Sequence, residues 1–560
     1  MAVSAGLSVA CGTQASAQTV DYFITPWVVA PLGSPTAIGP ADIIIPPGAP
    51  SPYSNLYNRV VAQSSITAPP FLFSTNIGID EIATDNVTAV HDDQQADLGS
   101  LFSLGETISA DSVRLKGVLS VTGFYRHNLI DSDLDQASEY GYGRGRAIIL
   151  PDHVFFDVNG LIDDLEPTGF GVQNSIAQSP QNTHMYNLSA SPFVVAGIGD
   201  MARMTLRYQI GQIWFNDNTT GNPLFGVPPI TSSTSQGVTG DFRTPGTIFR
   251  HLMSDLSLNA SENDSGNPIS GNLQRASGEL INEYEITRSA SVVGGAGYEY
   301  LSDSEVPGIG GEGEVWDFGV RVRPTVDSSI LLVYGRHDRK SDVAGEIAWR
   351  ITPLTSVYAK YSDSLTTVQE SLISNDANSI LGPDGAVSGI AFDHSTLIGV
   401  LDEAALSAGP GSEQDIAGLG VPLGTVNGLA PLQNGLFRAK SVSGTATSRI
   451  GDNDLLLTAF YQRNLSLTPL TSPSSIVKGT TISWSRSLAE RLSANASAGY
   501  RHVSGVGNGD LYNASLGADY ALSESLAVNM RYDLIRREVA PNNTSYIQNV
   551  LTIGVHKSFD

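Results

Sequence analysis

The sequence predicts an all-β fold: a transmembrane antiparallel up-and-down β-barrel of about 20 strands (range 18–22) behind a Pro-rich N-terminal extension. Three observations carry this. Apolar and polar residues alternate with period two over segments of roughly 9 to 15 residues. Tight turns and long polar loops alternate between those segments. No run of 18 apolar residues occurs, so no helix is long and apolar enough to cross a bilayer. A soluble sandwich also alternates, but its strands usually stop at about 5–6 residues. About 9–11 tilted residues cross the hydrocarbon layer, where only a closed sheet satisfies every backbone donor and acceptor.

The chain begins with residues 1–17, rich in small and apolar residues, free of acids and ending Ala15-Ser16-Ala17. This reads as an export signal cut before Gln18. Cys11 is the single cysteine, so no internal disulfide can form. Acylation at Cys11 is disfavoured, because Ser8 stands where a lipobox wants Leu. Residues 18–70 hold ten prolines between Asp21 and Pro70. Proline cannot donate to a ladder, so this stretch reads as a periplasmic extension or strap. At 53 residues it is too short for the plug of a TonB-dependent transporter.

Residues 71–560 read as barrel. Ala202, Met204, Leu206, Tyr208 and Ile210 share one face, against Arg203, Thr205, Arg207 and Gln209. Trp316, Phe318, Val320 and Val322 oppose Asp317, Gly319, Arg321 and Arg323. Leu526, Val528, Met530, Tyr532 and Leu534 oppose Ala527, Asn529, Arg531 and Asp533. The pattern blurs in 137–148 and 436–449, where Arg and Lys fall on the apolar parity, as bulges would cause. Nine short turns, from 109–112 to 521–524, flank eighteen strands; strands near 71–79 and 550–559 make twenty. The longest loops are placed near 217–271 and 367–435, with 246–260 as a candidate extra strand. Aromatics recur near strand ends, among them Tyr125, Tyr298, Tyr300 and Tyr461, as interfacial girdles require.

Formal net charge is −25, which argues against a nucleic-acid binder. The inward parity nevertheless collects cations: Arg114, Lys116, Arg126, Arg203, Arg207, Arg321, Arg323, Arg350, Arg501 and Arg531. It also collects Asp157, Glu283, Glu285, Glu299, Asp317, Glu346, Asp519 and Asp533. Two readings stay open. The guanidinium groups guide an anionic or hydroxyl-rich solute, or they pair with the lumen acids and rigidify the wall.

Other motifs are set aside. Gly308, Gly310 and Gly313 have dinucleotide-loop spacing but lie between strands, with no helix following. Asp131, Asp133 and Asp135 have calcium-like spacing, but the twelfth position is Tyr142. The nine histidines form no zinc-ligand spacing and no G-x-S-x-G occurs. No catalytic residue, cofactor or metal ligand is assigned.

The C-terminal stretch "NVLTIGVHKSFD" places Leu551, Ile553, Val555 and Phe559 on one parity. It resembles the terminal-strand signal read by the outer-membrane barrel assembly machinery, except that Phe559 is penultimate. The stretches "IGIDEIATDNV" (77–87), "ADLGSLFSLGETISADSVRLKGVLSVTGFYRHN" (96–128) and "ITRSASVVGGAGYEY" (286–300) resemble the β-barrel porin 2 family. That family comprises outer-membrane proteins associated with exopolysaccharide and PEP-CTERM systems. The resemblance implies the outer membrane of a Gram-negative bacterium, lipid, lipopolysaccharide and the assembly machinery as partners, and a role with polysaccharide and periplasmic export proteins. The expected function is a pore or conduit, for exopolysaccharide or another polar or anionic solute, without enzymatic chemistry. The alternative is a non-conducting structural or surface-interaction barrel whose acidic loops close the lumen or bind a partner.

Overall fold

The computed structural model describes residues 71–559 apart from 89–93, 166–182, 216–231, 265–271, 304–309, 368–435, 468–473, 540–544 and isolated positions in strands and turns. It also describes the pairs 40–41 and 391–392. The readings for 1–17, for nearly all of 18–70 and for the loop at 367–435 fall outside the described residues.

Twenty-two antiparallel strands close into one barrel. They are β1 (Phe71–Thr84), β2 (Asp97–Asp111), β3 (Leu115–Asn128), β4 (Gln136–Leu150), β5 (Val154–Leu165) and β6 (Thr183–Ile198). Then come β7 (Ala202–Phe215), β8 (Ser233–Phe249), β9 (Leu252–Asp264), β10 (Asn272–Thr287), β11 (Ala290–Asp303) and β12 (Gly311–Val322). The chain continues through β13 (Ser329–His337), β14 (Lys340–Thr352), β15 (Thr355–Thr367), β16 (Leu436–Ile450) and β17 (Asn453–Ser466). It ends with β18 (Ser475–Ala489), β19 (Leu492–Ser504), β20 (Gly509–Ser523), β21 (Leu526–Val539) and β22 (Tyr546–Phe559).

Twenty-two is the upper end of the expected 18–22: residues 233–264, placed mostly in a long loop with 246–260 as a candidate strand, form a hairpin. The reason is chemical. The outward positions of β8 mix Thr234, Gln236 and Gly240 with Val238 and Phe242, so its apolar stripe is broken. Within 137–148 both registers of β4 run unbroken, from Arg126↔Gln136 to Leu115↔Ala147 and from Gly141↔Ile162 to Ile148↔Phe155, with a shift only past Ile148, so a bulge does not cause the blur. One parity of β4 is Gly141, Gly143 and Gly145, which leaves nothing apolar to read. Tight turns at Gly199 and Gly451 take left-handed backbone (φ 55° and 63°), which glycine adopts at no steric cost.

Exposed apolar residues band the outer face: Leu104, Leu119, Leu206, Phe318, Leu332, Leu516 and Met530 among them. A closed sheet with an apolar exterior and a polar interior is stable only in lipid, so this is an outer-membrane barrel with its short turns toward the periplasm. Tyrosines crown the opposite rim, with hydroxyls donated to neighbouring side chains, as Tyr298 to Glu312 (2.7 Å) and Tyr500 to Asp510 (2.7 Å). Leu551, Ile553, Val555 and Phe559 lie on the outward parity of β22.

Closure joins β1 to β22, from Thr75↔Phe559 to Thr84↔Val550. At this seam the buried Asp80 and His556 meet on the inner face (Oδ1 to Nε2, 2.9 Å). Gly554 makes room for them; a Cβ there would lie 1.9 Å from Asp80 Oδ1.

The sheet is not uniform. The β14–β15 ladder stops at Gly345↔Tyr361, although β14 reaches back to Lys340 and β15 runs on to Thr367. Above the split, β15 stays paired with β16 up to Thr367↔Leu436. Here the outward parity of β15 and β16 lies against the inward parity of β9–β11. Asn263 Nδ2 donates to Thr367 Oγ1 (2.8 Å), Arg275 donates to the Leu365 carbonyl, and Leu273, Leu301, Leu365 and Leu436 form a buried cluster. The ends of β15 and β16 therefore fold inward over the wall formed by β9–β14. A second apolar cluster, Ile281, Val293, Leu331 and Val333, lies deeper on the same wall.

Two outcomes are expected at the seam. Cysteines at Ile79 and Val555, direct partners across it, should oxidise to a disulfide in the folded protein, a spacing disulfides tolerate. Gly554→Ala should destabilise the barrel by about 1–3 kcal/mol through overpacking, read as a lower midpoint for loss of the heat-modifiable band. An unlinked cysteine pair would contradict the closure, and an unchanged midpoint would contradict the packing.

Candidate functional site

The inner wall is the polar surface that the barrel encloses. Strand register sets charged residues at neighbouring heights around it: Arg146↔Asp157, Arg243↔Asp255, Ser291↔Arg321 and Leu331↔Glu346 are direct cross-strand partners. Opposite charges then meet. Arg146 grips Asp157 through Nε (2.7 Å) and Nη2 (3.0 Å), a bidentate fork. Arg207 Nη1 reaches the same carboxylate (3.3 Å) and Ser191 Oγ (2.8 Å). The Arg207 guanidinium lies 4.0 Å from the centroid of Phe193, which stacks on Phe155 at 4.8 Å. Arg243 holds Asp255 through Nε (3.1 Å) and Nη2 (3.0 Å).

Glu283, like Asp255, is fully enclosed. It accepts from Arg323 Nη2 (2.7 Å) and Ser291 Oγ (2.5 Å), with Arg321 Nε at 3.4 Å. The carboxylate thus lies between two guanidinium groups, and removing any one of the three leaves the others without a partner. On β21, Arg531 and Asp533 pair two residues apart (2.9 Å).

Among the expected lumen cations, Arg126 and Arg321 are buried on the inner face, and Arg207, Arg323, Arg350, Arg501 and Arg531 are half-buried there. Arg114 stands elsewhere: it is exposed in the turn between β2 and β3, because the ladder begins one residue later. The side chains of Lys116 and Arg203 fall outside the described residues. The structure adds Arg146, Arg243 and Arg438 to the wall. Arg146 sits in the blurred stretch 137–148, and Arg243 in the supposed loop 217–271.

Arg438 belongs to the inward-folded ends. It donates to Asp363 (2.6 Å), and Lys440 bridges Asp363 (2.8 Å) and Asp342. These charges tie the outward parity of β15 and β16 to the wall at β14. On the outer rim, Asp131, Asp133 and Asp135 build a short 3-10 turn at Ser132–Leu134. Asp135 accepts from the Asn128 backbone N–H (2.7 Å) and meets His127 Nδ1 (2.9 Å); these contacts hold its carboxyl below the usual range.

Three further side chains come together that no spacing in the sequence announces. Glu279 on β10, Asp317 on β12 and His337 on β13 offer ligand-type atoms that all lie within 4.8 Å of one another. They stand between the two apolar clusters of the wall.

No protein-family model matches the chain, and no curated protein matches its sequence. Solved structures with a similar course include the FrpB iron transporter from Neisseria meningitidis (F5-1 variant), at 8% identity and TM-score 0.46, covering 87% of this chain and 82% of that one. The siderophore receptor PirA from Acinetobacter baumannii aligns at 10% identity and TM-score 0.44, over 87% and 80% of the two chains. The outer membrane protein OpdK from Pseudomonas aeruginosa aligns at 8% identity and TM-score 0.33, over 87% and 99%.

Proposed function

We propose that the chain is a conduit through which polar solutes cross the outer membrane, with a hydroxyl-rich chain such as an exopolysaccharide as the cargo that its family resemblance suggests. The observation that supports this most is the inner belt. Its cations and anions are set against one another, one to one at Arg243–Asp255 and Arg531–Asp533, and two cations to one anion in the Arg146–Asp157–Arg207 and Arg323–Glu283–Arg321 groups. Such a wall is wet and rich in hydrogen-bonding groups, yet offers no long run of one sign. It suits a neutral or weakly charged polar solute better than a strongly charged one. The protein supplies shape, water and local dipoles, and the reading assigns it no bond-making step.

A second reading, a non-conducting barrel, draws on the ends of β15 and β16, which occupy part of the interior.

Planar-bilayer recording of the purified protein separates the two. Stable conductance steps with little selectivity between potassium and chloride are expected; absence of any conductance would favour the second reading. Glu283→Gln leaves Arg321 and Arg323 without their carboxylate and should move the reversal potential in a salt gradient toward chloride. Arg321→Glu combined with Arg323→Glu should move it toward potassium. If neither variant shifts it while both remain heat-modifiable, the belt does not line the ion path. Swelling of proteoliposomes in neutral oligosaccharides of increasing length then tests the cargo: entry of sugars only, falling with length, is expected.

A further inference from the structure

We propose that Glu279, Asp317 and His337 form a binding site for a divalent transition-metal cation of the Zn²⁺ class inside the barrel wall. The site is built, not incidental. Glu279 and Asp317 are 6% and 4% exposed, and His337 is half-buried. His337 Nε2 hydrogen-bonds the two Asp317 oxygens at 2.9 and 3.1 Å, a contact that already brings an imidazole nitrogen and a carboxylate to the spacing two ligands of one cation also take. Glu279 Oε1 is fully buried and meets no hydrogen-bond donor. A buried carboxylate oxygen without a donor is costly unless a proton or a cation sits against it.

The backbone is cut to admit this contact. Glu279 and Asp317 belong to strands separated by β11, so Glu279 must reach across it. Gly295, the direct partner of Asp317, lies under that path; a Cβ there would come within 2.5 Å of Glu279 Oε1 and 3.4 Å of Asp317 Cβ. On the far side Gly335 is the partner of Asp317, and a Cβ there would meet Asp317 Oδ1 at 1.8 Å. Glycines on both flanks leave a bare floor on which two carboxylates and an imidazole converge. Ile281, Val293, Leu331 and Val333 on one side and Leu273, Leu301, Leu365 and Leu436 on the other give a dry surround that strengthens a charge-based bond.

The donor set selects the class of ion. One imidazole nitrogen with two carboxylates suits Zn²⁺, Mn²⁺ or Fe²⁺; Ca²⁺ and Mg²⁺ prefer all-oxygen shells. A bound cation would fasten β10, β12 and β13 to one another beneath the inward-folded ends of β15 and β16. This site stands apart from the conduit reading and survives or fails without it.

The test uses the untagged full chain in detergent, stripped with a chelator and dialysed against Zn²⁺ near neutral pH. Saturable binding of about one Zn²⁺ per chain is expected, weakened at least about tenfold in Glu279→Gln, and likewise in Gly295→Ala, which keeps every ligand but blocks the reach. Co²⁺ in the wild-type protein should give visible absorption with nitrogen coordination that His337→Ala removes. Each variant is checked for heat-modifiable gel mobility. No saturable Zn²⁺ binding by folded wild type overturns the proposal and leaves a proton shared between the two carboxylates. Equal binding by folded Glu279→Gln and His337→Ala also overturns it. If the variants do not fold, wild-type Co²⁺ without nitrogen coordination overturns it as well.

Discussion

In hydrocarbon no water is at hand for a peptide group, so every strand must have two neighbours. That constraint organises this protein. It fixes the pairing of β1 with β22 and the side-chain alternation along each strand. It also fixes which half of the residues can carry charge. The seam is where the first and last strands must find each other, and there the buried Asp80–His556 contact sits in space that Gly554 and Gly78 leave open. A directional polar contact inside an otherwise repetitive ladder helps specify register, because a slip of one residue would turn it toward lipid.

The polar face that closure creates is used in two ways. Around the belt, carboxylates and guanidinium groups are set opposite one another, so charges of both signs alternate along the wall. Along β9–β14 the face is instead covered. The ladder between β14 and β15 opens above Gly345, the ends of β15 and β16 turn inward, and a local two-layer structure with its own apolar core appears inside the barrel. The split leaves part of β14 without its β15 partners, and it brings Asp342, Asp363, Arg438 and Lys440 together as a polar stitch between layers.

Much of this was legible in the sequence, and the failures are informative. Period-two alternation gave the fold class, the membrane and the lumen parity of residues such as Arg321 and Arg531. It failed at β8, where Thr234, Gln236 and Gly240 interrupt the apolar face that Val238 and Phe242 begin. It was confused at 436–449, where Arg438 and Lys440 share the parity of the lipid-facing Val442. The pattern there was sound; the outer face of β16 leaves lipid partway along and lies on the inner wall. No rule of parity foresees that, because the cause is a contact between strands far apart in sequence. Glu279, Asp317 and His337 were invisible for a related reason. Each looks like an ordinary inward residue, and only the register of four neighbouring strands, with glycine at 295 and 335, aligns them.

The central claim is that one closed sheet places lipid against every second side chain. Spin labels introduced singly at positions 528 to 534 of β21, in the purified protein reconstituted into bilayers, test it most directly. Collision rates with oxygen, which concentrates in lipid, and with a water-soluble nickel complex would be measured at each position. The expected result is strict alternation: oxygen contact dominating at Val528, Met530, Tyr532 and Leu534, and nickel contact at Asn529, Arg531 and Asp533. Equal nickel contact on both parities would mean that water bathes both faces, and would contradict the barrel, its belt and its seam together.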